Sequence, residues 1–121
     1  MAFAANVERA PPNESLAELA AVLGDDNVRA LVLTFLRDFP SLCEELNGGD
    51  RKNRHRVAHS MKSNSRLMGA NRLSDKMGEL ESRLEQADGA DIGPPDLAEI
   101  AAEFDAVAGA LRAFAGSDDG G

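Results

Sequence analysis

The sequence predicts an all-α protein, an antiparallel four-helix bundle with a short additional helix at its N-terminal end. Three observations lead there. Apolar residues recur every three or four positions through four long segments. No segment alternates apolar and polar residues with the period of a strand. Breaks rich in Gly, Asn and Pro separate the segments and leave connections short enough for antiparallel neighbours. At 121 residues the chain suffices for one domain and is too short for two. With five Phe and neither Trp nor Tyr, its core must be built from aliphatic side chains, and the Ala, Leu and Met content favours helix.

The elements follow in order. Residues 1–12 read as a flexible tail ending in Pro11-Pro12, residues 13–115 as the folded domain, and residues 116–121 as a disordered tail. Asn13 or Ser15 caps a short helix carrying Leu16, Leu19 and Leu23, which stops at Gly24. Asp25-Asp26 cap a long helix with the stripe Val28, Leu31, Val32, Phe35, Phe39, Leu42 and Leu46. Pro40 lies within that stripe and predicts a kink or a break, and Asn47-Gly48-Gly49 ends the helix. Asp50 caps the next helix, which runs to about Met68 with Gly69 as a left-handed stop. Leu73, Met77, Leu80, Leu84 and Ala87 mark a further helix. Gly78 inside it costs about 1 kcal/mol relative to Ala and points to close helix packing. After a loop over Asp88–Pro95, Pro94-Pro95-Asp96 opens the last helix, with stripe Leu97, Ile100, Phe104, Val107, Leu111 and Phe114.

Composition narrows function. Cys43, the one cysteine, rules out an intrachain disulfide and fits a reducing compartment; its apolar neighbours make it a core thiol. The chain has no run of about 18 apolar residues and no basic-then-apolar leader at its start, so a soluble, cytoplasmic protein is expected. Net charge is −8. Yet Arg51, Lys52, Arg54, Arg56, Lys62, Arg66 and Arg72 fall in a stretch without a single Asp or Glu, leaving about −15 on the remainder. A basic band on an acidic body suits an acidic or phosphorylated partner, or is simply a solvated helix face.

The basic helix carries the chemistry. At ~100° per residue, with Val57 at zero, Met61, Asn64 and Met68 fall within ~40° and form the inward face. His59 lands near ~200°, with His55, Arg56, Lys62, Ser63 and Arg66 around it, so the imidazole is expected to face water. A neutral imidazole there offers a ring lone pair as nucleophile, and Lys62, one turn on, can lie beside an arriving phosphoryl group. His55 and His59 also stand at the i, i+4 spacing of a metal pair, but no Glu follows the first and the flanking charges are positive; no metal is expected. Nucleic-acid binding lacks interleaved aromatics and meets an acidic body. No phosphate-binding nucleotide loop or Gly-rich kinase loop is present, so the chain is not expected to be an enzyme acting on ATP, and nothing calls for a cofactor.

The run from Ala58-His59-Ser60-Met61-Lys62-Ser63 to Gly69-Ala70, with Leu80-Glu81 in register, resembles the histidine-containing phosphotransfer (HPt) family over roughly residues 15–115. Leu23-Gly24-Asp25-Asp26 through Phe35, Phe39 and Pro40 is similar to that family's helical lead-in. The resemblance implies that His59 accepts a phosphoryl group from a receiver-domain aspartyl phosphate and passes it to another receiver. Lys62 matches the lysine that supports the phosphohistidine. Ser63 stands where the family commonly has Gly, on the same face, and is expected to support the phosphoryl group beside Lys62 by donating a hydrogen bond, or to narrow receiver approach, with slower or more selective transfer as the result. The metal ion and most catalytic groups would belong to the receiver. Expected partners are receiver domains and a hybrid histidine kinase, docking on His55, Arg56, Arg66 and Arg72 of a monomer. The initial Met and the two tails suggest a stand-alone chain. The competing reading is a helical module that binds and inhibits or scaffolds a receiver or kinase without transfer.

Overall fold

The computed structural model describes residues 10–86 and 91–116. They form five helices: α1 (Glu14–Leu23), α2 (Asp25–Asn47), α3 (Arg51–Leu67), α4 (Asn71–Glu85) and α5 (Pro94–Ala115). No strand occurs among the described residues. Each of α2–α5 packs on its chain neighbour, and contact between α2 and α5 closes the four into a bundle, with α1 lying against α2. Most of both expected tails, and Ala87, lie outside the described residues.

The predicted apolar stripes form one core. Val28, Val32, Phe35, Phe39 and Leu46 of α2 meet Ile100, Phe104, Leu111 and Phe114 of α5, and Val57 and Met61 of α3 meet Leu73, Met77, Leu80 and Leu84 of α4. Phe39 and Phe104 stack at 4.1 Å between centroids, with Phe35 tilted against both, so three of the five phenylalanines pin α2 to α5. Leu31 and Leu23 stay exposed, and Cys43 is half-buried, where burial pushes its thiol pKa up. No helix among the described residues is long and apolar enough to cross a membrane.

Two expectations about α2 need correction. Asp25 and Asp26 do not cap it. The cap position is Gly24, and the two aspartates sit in the first turn, where they complement the helix dipole and flank Arg29. Pro40 does not break the helix, which runs on to Asn47. Its ring is on the exposed side, where water can take the carbonyl it leaves unpaired, while buried residues before and after it hold the helix in place.

Asn13 is the α1 cap, and it does two jobs. Its Oδ1 accepts from the Leu16 N–H at 2.9 Å, and its Nδ2 donates to the Met68 carbonyl at 2.9 Å, tying the start of α1 to the end of α3. Gly69 follows with φ of +77°, and a Cβ there would lie 2.3 Å from the Asn13 side chain. Only glycine meets both demands. The turn closes with Ala70 N–H bonded to the Ser65 carbonyl at 2.9 Å.

A charged strap joins α4 to α5. Lys76, only 6% exposed, reaches Asp96 and Glu99 at 3.0 Å each, and Arg83 reaches Asp96 at 2.6 Å. Asp96 also reaches back to accept the Gly93 N–H at the helix start. Burial alone would raise the Asp96 pKa, but the Gly93 amide, Arg83 and Lys76 outweigh it and bring the value from 3.8 down to about 2. A carboxyl that ionises more readily when folded stabilises the protein above its unfolded pKa and ceases to do so as pH falls through its folded one. Asp96→Asn is therefore expected to cost roughly 2 kcal/mol at pH 7. Urea melts at successive pH values should show that difference shrinking between about pH 4 and pH 2.

Candidate functional site

Asp50 starts α3 by accepting the Asn53 N–H at 2.7 Å. Arg51, the next residue, donates to the carbonyls of Arg83, Leu84 and Gln86 at the far end of α4. A guanidinium on the C-terminal carbonyls of its neighbour fixes how α3 and α4 sit against one another. The Gly69 turn fixes the other end.

Within that frame His59 faces outward as expected, its side chain 59% exposed. The inward arc of α3 is turned from the expected one. Ala58 and Ser65 are buried and Asn64 is exposed, because α4 covers the flank on which residues 58 and 65 lie. That turn brings His59 within reach of α4. Its Nδ1 lies 2.6 Å from Glu81 Oε2, while Glu81 Oε1 lies 2.7 Å from Lys62 Nζ. One carboxylate thus holds the histidine and the lysine together.

Glu81 is 15% exposed. The Lys62 ammonium holds its pKa below the usual glutamate value; burial opposes this and the His59 ring assists it. The group is therefore an anion at neutral pH, able only to accept, so the hydrogen between it and His59 resides on Nδ1. In the neutral ring that arrangement puts the lone pair on the other nitrogen, Nε2, to which none of the described residues bonds.

The remaining sequence-predicted residues divide into three groups. Arg56, Ser63 and Arg66 lie on the exposed side of α3 with His59; Arg56 bonds Asn53, and Arg66 has no ion pair among the described residues. Ser63, Arg66 and the exposed Leu67 border a mainly apolar groove whose other wall is Ser15, Glu18, Leu19 and Val22 of α1. His55 leans toward α4 instead, its Nε2 lying 4.0 Å from Glu81 and 3.8 Å from Glu85. Arg72 is not brought to the site. It stands nine residues before Glu81, half a turn round α4 by helix geometry, and 87% exposed it points to Glu103 of α5 at 3.9 Å. The basic band is also partly spent within the protein, since Arg51 holds the α4 end and Arg54 pairs with Asp91 at 2.7 Å.

Sequence reasoning used Glu81 only as a register mark. It stands four residues after buried Met77, so an acidic group on the edge of an apolar stripe was the available signal. No cluster of three or more His, Cys, Asp or Glu side chains suited to a metal ion occurs among the described residues.

A family model described as the Hpt domain matches residues 13–110. The chain belongs to the Hpt domain family, whose members are phosphotransfer modules of two-component signalling without kinase machinery. Membership implies interaction with receiver domains and histidine kinases. No curated protein and no solved structure matches the chain.

The order of causes on Glu81 can be measured. Lys62→Ala is expected to move the Glu81 titration midpoint upward by more than His59→Gln does, as followed by carboxyl carbon NMR between pH 2 and pH 7. The opposite order would make the histidine its chief partner.

Proposed function

We propose that His59 carries a phosphoryl group between receiver domains, with Glu81 and Lys62 as its supports. The observation behind this reading is the His59–Glu81 contact at 2.6 Å, which leaves Nε2 as the exposed nucleophile. The Nε2 lone pair attacks the phosphorus of a receiver aspartyl phosphate. The N–P bond forms as the P–O bond to the aspartyl carboxyl breaks, and the aspartate leaves as a carboxylate. The ring keeps its Nδ1 hydrogen and becomes formally cationic, a charge the Glu81 carboxylate stabilises. In the second half a carboxylate of another receiver attacks the same phosphorus, and the N–P bond breaks to return neutral imidazole.

Lys62, released from Glu81, supplies a cation to the phosphoryl oxygens. Arg56, Arg66 and the groove at Leu19, Val22 and Leu67 form the face on which the receiver settles, its acidic site meeting the exposed guanidiniums. Ser63, one turn from His59 on that face, narrows the choice of receiver. A monomer in the cytoplasm, where receivers and kinase domains meet, suits this role.

A phosphorylated receiver should label the protein in an acid-labile, alkali-stable form, while His59→Gln stays folded and takes no label. Label that persists in His59→Gln would falsify the assignment, and stoichiometric receiver binding without label from any donor would leave a binding module in its place.

Lys62→Ala should slow transfer by at least tenfold, about the loss of one charge-assisted contact of 1.5 kcal/mol or more. Arg72→Ala should change it less than twofold, because exposed ion pairs contribute ~0–1 kcal/mol. Rapid-quench transfer kinetics separate the two, and equal effects would deny Lys62 its role.

A further inference from the structure

Lys62 is guided from α3 to α4 along three residues of α4. Ser74 Oγ donates to the Lys62 carbonyl at 2.9 Å, and Glu81 takes the ammonium at 2.7 Å. Between them lies Gly78. At ~100° per residue, positions 74, 78 and 81 share one flank of the helix, and that flank faces α3.

Gly78 is out of place by every local criterion. It sits in the interior of α4, where glycine weakens a helix. Its φ is not positive, so no left-handed turn calls for it, unlike Gly69. What it provides is space. A Cβ built there would lie 3.2 Å from Lys62 Cδ, and among the described residues no other group beyond its own helix turn comes within 4 Å. Carbon atoms in good contact stand about 3.5–4.0 Å apart, so the added methyl would push the lysine stem by a few tenths of an ångström. The stem is the flexible partner and would yield before either helix does.

We propose that Gly78 is a positioning residue for phosphoryl transfer. By withholding a side chain it leaves the lane along which the Lys62 stem lies, and so sets the ammonium one carboxylate away from His59. The inference rests on the reading of His59 and Lys62 given above. It adds that α4 gives up helix stability to place a cation on α3.

The test is a double-mutant cycle. Gly78→Ala and Gly78→Leu are made with Lys62 present and in Lys62→Ala, and transfer from a phosphorylated receiver is timed beside thermal melting. With Lys62 present, Gly78→Ala should slow transfer about threefold, in proportion to so small a displacement, and Gly78→Leu should slow it further. The melting temperature of Gly78→Ala should hold or rise by roughly 3–6 °C, as better helix propensity predicts. In the Lys62→Ala background neither replacement should alter the rate.

Slowing of the same size without Lys62, or slowing that follows a fall in melting temperature, would make Gly78 a packing residue and overturn the proposal. So would unchanged transfer in both variants while Lys62→Ala remains slow, an outcome that leaves the roles of His59 and Lys62 standing. Wild-type transfer by Lys62→Ala would remove the lysine's role and the Gly78 proposal with it, while the His59→Gln labelling result would still decide the acceptor.

Discussion

Glu81 is the group around which the site is arranged, for a physical reason that reaches into the whole bundle. A largely buried carboxylate is costly unless its oxygens are matched by donors, and both donors come from a different helix, His59 on one oxygen and Lys62 on the other. The pairing holds only if α3 and α4 keep one register. Arg51 clamps one end of that pair to the α4 carbonyls. The Gly69 turn, with Asn13 bonded to Met68, clamps the other. Neither clamp touches the imidazole, yet each bears on where it stands.

The two flanks of α4 do separate work. Toward α3 it presents Ser74, Gly78 and Glu81, which accommodate the lysine of the site. Toward α5 it presents Lys76 and Arg83, which bind Asp96 and the start of the last helix. The leucines and Met77 between these flanks enter the core. One 15-residue helix therefore carries an apolar face, a structural ion network and the polar side of the candidate site. Titrations of the two networks run in the same sense, since Asp96 and Glu81 are both held as anions below the usual carboxylate range. Acid weakens the strap and the site together.

The charge available to a partner is smaller than the basic band suggests. Arg51, Arg54 and Lys62 are engaged within the protein, and Arg72 faces α5. Lys52, Arg56 and Arg66 remain on the open side of α3, with the apolar groove beside Leu67. In the proposed relay this favours a small acidic pocket seated on an apolar rim over a long-range electrostatic hold.

The fold class, the order of the helices and nearly all the core were legible in the sequence, because the 3.6-residue period and the capping residues are local properties. The same holds for the outward direction of His59, which one helix is enough to determine. Three-dimensional packing alone decided what the imidazole touches. Glu81 lies 22 positions along the chain from it, and a helical period says nothing about which flank of the next helix will lie alongside. For the same reason the turn of α3 that buries Ser65 and exposes Asn64 and the departure of Arg72 from the site escaped a reading by residue pattern, and at Gly78 that reading gave close packing but not the Lys62 stem as the neighbour. Each depends on how two helices meet, a relation set by long-range packing and not by the period of either one.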